Sequence, residues 1–324
     1  MNQAISQKIL HIFLFSVFFF YACVFRPNPN GLIKTPEEVI PLPSHIETEF
    51  SSSKSMADQS YNNDHIIRHI EKQLSFGPRI PGSQASQSTS NYFKEFLEQY
   101  GWLVNFQEFD FDGVRLRNVV ARNSSNTPQV IIGTHYDTRA VSDRDPDLAK
   151  NTLPVPGAID GGSGSAILLE LGRTLVDNGL SVWLVFFDGE DQGNINEWQW
   201  SIGSGYFAQK LTEPLPQQVV IIDMLGDHSL EIFKEKNSNT ELSDAIWAIA
   251  KSEGYSESFI DIYKYAMIDD HLPFINRNIP SALLIDFDYP YWHTTSDTLD
   301  KVSIQNLEVV FLVLNSWINS LEQN

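Results

Sequence analysis

Cysteine is almost missing. The single thiol, Cys23, excludes an internal disulfide and any metal site built on several thiolates of the folded domain. Basic residues are scarce as well: 22 Lys and Arg face 41 Asp and Glu, for a net charge of −19. Without Lys and Arg clusters the chain has no means of gripping phosphates, which excludes nucleic acid as a partner. The same balance disfavours electrostatic docking on anionic lipid. No internal repeat is visible. What the chain does have is 42% hydrophobic and 12% aromatic residues over 324 positions, enough for one large α/β domain with a sizeable core.

The N-terminal apolar run covers residues 9–24, preceded by Lys8 and interrupted mainly by His11 and Ser16. A charged start, a short apolar core and the small Ala22 before Cys23 describe a secretory signal. The ending Tyr21-Ala22-Cys23 resembles a bacterial lipobox, with Phe20 where Leu is usual. The competing reading is an uncleaved membrane anchor. Residues 1–23 are therefore expected to be a signal peptide with a lipobox-like end or an anchor. Either puts the rest of the chain outside the cytoplasm, as a membrane-anchored lipoprotein or an extracytoplasmic or periplasmic protein. Residues 24–62, rich in Pro, Ser and Asn, read as a flexible linker, and 63–324 as the folded domain.

Within that domain one stretch organises the rest: Val182-Trp183-Leu184-Val185-Phe186-Phe187-Asp188-Gly189-Glu190-Asp191-Gln192-Gly193. The apolar half reads as a strand buried on both faces. It ends in three acidic residues, whose charges repel unless a cation or a shared proton relieves them. Similar endings recur. The run 129–133 leads to His135-Tyr136-Asp137, the run 219–222 to Asp223, and the run 282–285 to Asp286-Phe287-Asp288-Tyr289-Pro290-Tyr291-Trp292-His293. Helices are expected at 64–74, 84–100, 165–175, after Gly203, at 242–250 and at 304–321. A hairpin is expected at 103–111 and 115–121, around Asp112-Gly113. Strands alternating with helices predict an α/β fold: a single domain with a central mixed, twisted sheet covered by helices on both faces.

Any one of these polar residues has a plain structural explanation. Asp160, before the helix at 165, could be an N-cap; a lone His is usually a hydrogen-bonded core residue, and Trp is usually core. The joint occurrence is harder to dismiss, because neutral partners would not settle so many carboxylates, whereas a divalent cation held by carboxylates and histidine would.

The order His135-x-Asp137, Asp160, Glu190-Asp191, Asp223, then His293-Thr294-x-x-Asp297-Thr298 resembles the zinc aminopeptidase superfamily. Within it the chain is most similar to the glutaminyl-peptide cyclotransferases. Four local features carry that likeness: Phe76-Gly77-Pro78-Arg79-Ile80-Pro81-Gly82-Ser83, Phe187-Asp188-Gly189-Glu190-Asp191, Asp269-Asp270-His271-Leu272-Pro273-Phe274, and Trp292-His293-Thr294. The resemblance implies a zinc aminopeptidase-like (phosphorylase/hydrolase-like) fold and one zinc ion on Asp160, Asp191 and His293, with Asp191 standing where animal members commonly have Glu. It implies Glu190 as general acid/base, and Asp223 and Asp269 as a carboxylate pair sharing a proton. Trp292 would contact substrate, Ile268 would offer its backbone amide, and Tyr289 and Trp200 would complete an apolar wall. Substrates would be peptides or proteins with N-terminal Gln, the membrane would be met only through the N-terminal segment, and the catalytic domain would be monomeric. Two alternatives stay open. One is a two-metal aminopeptidase, with His135 and Asp223 on a second zinc bridged by Asp160 and Asp137 orienting His135. The other is a secreted binding module without catalysis.

Overall fold

The computed structural model describes residues 64–175 and 179–321. The expectations for residues 1–23 and for the linker at 24–62 fall outside them. Within the described residues no helix is long and apolar enough to cross a membrane.

Two helices, α1 (Asp64–Phe76) and α2 (Gln84–Gln99), lead into the hairpin β1 (Leu103–Phe111) and β2 (Val114–Arg122). Then come β3 (Val130–His135), α3 (Gly162–Thr174), β4 (Val182–Phe187), α4 (Ile202–Lys210) and β5 (Gln218–Asp223). The chain continues through β6 (Ile232–Lys234), α5 (Thr240–Ser252), β7 (Phe259–Tyr263), α6 (Leu272–Ile275) and β8 (Ser281–Ile285), and closes with α7 (Ile304–Ser320). All described residues belong to one compact unit.

The main sheet has the order β1-β2-β4-β3-β5-β8. Its hairpin is antiparallel and β2 pairs antiparallel with β4, whereas β4, β3, β5 and β8 run parallel. The parallel strands are apolar and buried along almost their whole length, as strands covered on both faces must be. One face carries α1, α2, α3 and α7, and the other carries α4 and α6. Fully buried Phe93, Phe186, Phe187, Phe274 and Trp317 fill the two layers between.

Three features differ from the sequence reading. A second sheet pairs β6 with β7 in parallel, unforeseen because three residues are too few to show a period. The short α6 was also not anticipated. Helix α3 begins at Gly162, and its N-cap position is Gly161 at φ +73°, with no side-chain cap. Asp160 is therefore free of capping duty. A Cβ at Gly161 would stand 2.6 Å from the Asp137 carbonyl and 3.1 Å from the His135 ring, so only glycine lets the chain turn here.

Candidate functional site

Because β3, β4, β5 and β8 are parallel, their carboxyl ends share one edge of the sheet. The chain passes from β3 to β4 on one side and then to β5 on the other. At such a reversal of strand order an α/β sheet opens a crevice. Here the crevice is a cavity of about 360 Å³. Its polar lining is Asp160, Glu190, Asp191, Asp223, Asp269 and His293, and its walls are Trp200, Trp292, Phe287 and Tyr265, with Met224, Met267, Ile268 and Ile285.

Of the three acidic residues after β4, only two face this space. Asp188 turns back toward β2, where its Oδ2 accepts the Arg117 N–H at 3.0 Å. Gly189, at φ +76°, then reverses the chain and delivers Glu190 and Asp191 into the cavity. Both are fixed by Asp137, whose two oxygens accept the Glu190 N–H (3.0 Å) and the Asp191 N–H (3.2 Å). Asp137 also lies 3.5 Å from His135 Nδ1, so holding the 190–191 backbone is its closer engagement.

Asp160 is positioned by groups whose role the sequence did not reveal. Asp297 is fully buried; its Oδ1 accepts the Ile159 N–H (2.9 Å) and its Oδ2 the Asp160 N–H (3.1 Å). Arg79, also fully buried, donates to the carbonyls of Tyr136, Pro156, Gly157 and Asp160. Burial lowers this guanidinium to about 10, against the pull of Asp297, Asp160, Asp137 and Asp191. The loop at 76–83, one of the four features that carry the family likeness, thus pins the segment that carries Asp160. Asp297 stood in the quoted His-Thr pattern without a role, since its partners are about 137 residues away in sequence.

His293 lies between two indoles: Trp292 at 3.9 Å between ring centres and Trp200 at 6.0 Å, nearly parallel to the imidazole. Trp200 reaches that position across Gly193, where any Cβ would fall 2.1 Å from its ring. His293 Nε2 is 2.8 Å from Asp191 Oδ1 and 3.8 Å from Asp160 Oδ2. Its Nδ1 is 3.5 Å from Asp143 Oδ1, and Asp143 is gripped by Arg139 through two hydrogen bonds of 2.9 and 2.6 Å. Backbone strain gathers here too. His293 (φ +55°), Ser201 (φ +58°) and Met224 (φ +46°) adopt left-handed conformations around the cavity, a feature that concentrates at ligand sites.

Two sets of three side chains could hold a metal ion: Asp160, Asp191 and His293, and His135, Asp160 and Asp223. In each set the ligand atoms lie within 4.8 Å of one another. In the first set Asp160 Oδ2 and Asp191 Oδ2 are buried without a hydrogen-bond partner. A carboxylate oxygen so placed is expensive unless a cation answers it. The donor set of two carboxylates and an imidazole, with a side open to the cavity, suits a catalytic divalent ion. In the second set His135 Nε2 is 2.9 Å from Asp223 Oδ1 and 3.2 Å from Asp160 Oδ1.

Burial pushes Glu190 well above the ordinary carboxyl range, with Asp269 adding to the effect. Burial does the same to Asp269, where Asp223 is the main charged neighbour. Burial and Asp160 raise Asp191 to about 6, with His293 opposing. Burial disfavours the His293 imidazolium, yet Asp191, Asp143 and Asp160 outweigh it and hold the ring at about 9.

The structure thus gathers Asp160, Asp191, His293, Glu190, Asp223, Asp269, Trp292, Ile268 and Trp200 around one cavity. Tyr289 is the exception and corrects the expected wall. Its ring is buried away from the cavity and its hydroxyl donates to Asp297 Oδ1 at 2.8 Å. Phe287 and Tyr265 take the wall position instead, Phe287 standing edge-to-face to Trp292 at 5.0 Å.

Comparison with known proteins agrees with this architecture. The glutaminyl-peptide cyclotransferase of Boiga dendrophila is 28% identical over 287 residues, covering 72% of this chain and 76% of that protein. The crystal structure of Porphyromonas gingivalis glutaminyl cyclase superposes with a TM-score of 0.76 at 29% identity, over 80% of this chain and 98% of the other. A Zn-dependent exopeptidase from Parabacteroides distasonis gives 0.74 at 29%, over 79% and 97%. The profile of peptidase family M28 matches residues 118–318, which include every cavity-lining side chain named above. On that match, and on a parallel-strand edge lined with carboxylates and histidine, the chain belongs to peptidase family M28.

Proposed function

We propose that this enzyme is a glutaminyl-peptide cyclotransferase, converting the N-terminal Gln of peptides and proteins to pyroglutamate with release of ammonia. The observation that carries the reading is the cluster of buried carboxyls, Glu190, Asp223 and Asp269, that line one aromatic-walled cavity beside Asp160, Asp191 and His293. This is a reservoir for moving one proton between two nitrogens, and the similarity to glutaminyl cyclases supports it.

On this reading one zinc ion is held by Asp160, Asp191 and His293. When bound, it supplies Lewis-acid polarisation of the γ-carbonyl and a positive charge for the oxygen that becomes anionic. Glu190 accepts a proton from the substrate α-amine as that nitrogen bonds to the γ-carbon, and delivers it to the departing amide nitrogen as the old C–N bond breaks. The raised affinity of Glu190 for a proton suits it to both tasks. Asp223 and Asp269 share a proton beside it. Trp292, Trp200 and Phe287 exclude water, and the Ile268 amide orients the substrate. Because the nucleophile belongs to the substrate, ring closure benefits from proximity and needs no metal-generated hydroxide.

Mass spectrometry of a Gln-initiated peptide after incubation tests the proposal. Cyclisation expects a loss of about 17 Da, one ammonia; a freed amino acid would mark hydrolysis. The second reading, a two-metal aminopeptidase, draws on the proximity of His135, Asp160 and Asp223 and on the likeness to a Zn-dependent exopeptidase. It expects two tightly held metal ions per chain where the cyclotransferase expects one. We also read residues 63–324 as a monomeric catalytic domain, exported by residues 1–23 and tethered by 24–62. Cys23→Ala releasing the protein from the membrane fraction would support a lipid anchor over a spanning one.

A further inference from the structure

Residues 265–269 form a strap along the cavity rim; the Tyr265 side chain bonds to Asp288 and packs on Phe287, but the backbone of 265–267 is hydrogen-bonded along one edge only. Burial alternates along it: Tyr265 and Met267 are half-buried and Asp269 is buried, whereas Ala266 and Ile268 are exposed, Ile268 by 67%. A period of two marks an extended chain. The hydrogen bonds alternate in the same way. The Tyr265 carbonyl accepts the Lys236 N–H at 2.8 Å, the Met267 N–H donates to Glu235 Oε1 at 2.8 Å, and the Met267 carbonyl accepts from Asn237 Nδ2 at 3.1 Å. All of these point toward the turn that follows β6.

In an extended chain the N–H and C=O groups of alternate residues point to opposite edges. Those of Ala266 and Ile268 therefore face the other way, and among the described residues neither makes a hydrogen bond. All five residues of the strap line the cavity. What keeps this edge in place is Glu235. Only 1% exposed, it accepts the N–H groups of Asn237 and Ser238 and the Ser238 hydroxyl through Oε2, which also lies 3.2 Å from His271 Nε2. Its other oxygen holds Met267, so a carboxylate takes the place of a neighbouring strand and leaves the far edge open.

We infer that this free edge is a template for the main chain of the substrate. The inference rests on the cyclotransferase reading of the same cavity. The peptide beyond its N-terminal residue lies extended against the strap, with its backbone paired to Ala266 and Ile268. An exposed edge with unpaired donors and acceptors is built for such pairing, and strand addition gives affinity without reading side chains. Ile268 adjoins Asp269 at the reacting end, and Ala266 lies two residues, about 7 Å, farther out. The edge therefore reaches past the first residue to the second and third. The substrates favoured are unstructured N-termini of at least three residues, of any side-chain sequence, with free backbone N–H groups.

The test uses the intact enzyme and synthetic peptides of the type Gln-Ala-Ala-Ala-Ala, N-methylated singly at positions 2, 3 and 4, beside a length series that starts at glutamine amide. An N-methyl that removes a donor facing the strap is expected to lower kcat/KM about tenfold, the effect of one hydrogen bond. Methylation at the adjacent position should do little, so sensitivity alternates. Lengthening from glutamine amide to a tripeptide should raise kcat/KM by a similar factor, mainly through KM. Ala266→Pro removes an N–H that has no internal partner, next to a residue already extended. It should shrink the pentapeptide's advantage over glutamine amide. Cyclisation that ignores N-methylation, or suffers equally at all three positions, would overturn the template. Failure to cyclise any Gln peptide, glutamine amide included, would instead remove the cyclotransferase reading and the template with it.

Discussion

The two banks of the cavity are built on opposite principles. The floor comes from strand ends, where Asp160, Glu190, Asp191, Asp223 and His135 are nearly or fully buried and the loops carrying Asp160, Glu190 and Asp191 are pinned by hydrogen bonds to Asp137, Asp297 and Arg79. The rim comes from strap residues 265–268 and from the loop at 286–292, with aromatic rings, the exposed Ile268 and backbone groups of Ala266 and Ile268 that make no hydrogen bond among the described residues. Charged groups that act on a reacting bond need fixed positions and little water, because reorganisation would cancel their effect. A surface that admits chains of differing sequence needs apolar planes and backbone donors. The floor is thus expected to set kcat and metal affinity, and the rim to set KM.

The sharpest way to break that division is Glu190→Gln. It should lower kcat by about 10²–10⁴ while metal content, read by elemental analysis, stays at the parental level; full turnover would remove Glu190 from the proton path. Next comes Asp297→Asn, which leaves the shape but loses one acceptor for the Ile159 and Asp160 amides. Metal affinity, measured by competition with a chelator, should weaken about 10–100-fold. On the rim, Trp292→Ala should raise KM about tenfold through lost aromatic contact and leave metal affinity intact. A change in metal binding of the same size would mean that the indole, packed at a tilt against His293, belongs to the floor.

The smallest expected effect concerns Asp286, which pins the rim loop by accepting the N–H groups of Glu231 and Asp288. Burial, with help from Asp227, raises it to about 7. The folded protein therefore binds a proton that the unfolded chain has lost between pH of about 4 and 7. Stability falls as pH rises through that window and levels off above it. Asp286→Asn removes this dependence. Its melting temperature relative to the parent should climb by about 2–4 °C between pH 5 and pH 8; a pH-independent difference would show that Asp286 is ionised throughout.

Much of the fold was legible because β3, β4, β5 and β8 are covered on both faces and so appear as unbroken apolar runs. The β6–β7 sheet was not, since β6 has only three residues and β7 is largely exposed. In the site, the residues at strand ends could be named from their place after an apolar run. Which way each one points could not. Asp188 and Glu190 are two residues apart and alike in chemistry, yet one staples β2 and the other faces the cavity, a choice made by the reversal at Gly189. The resemblance to the cyclotransferases implied Tyr289 on the wall; a hydrogen bond to Asp297 draws it inward and leaves the place to Phe287.

The amino-acid order by itself determined the layered α/β class and the positions where strands stop in acid and histidine, because both follow from local hydrophobic pattern. Tertiary structure alone decided which carboxylates meet, what holds them, and which edge of the rim stays open. Those outcomes depend on contacts such as Asp160 with Asp297 and Met267 with Glu235, whose partners lie far apart in the chain and leave no periodic trace in it.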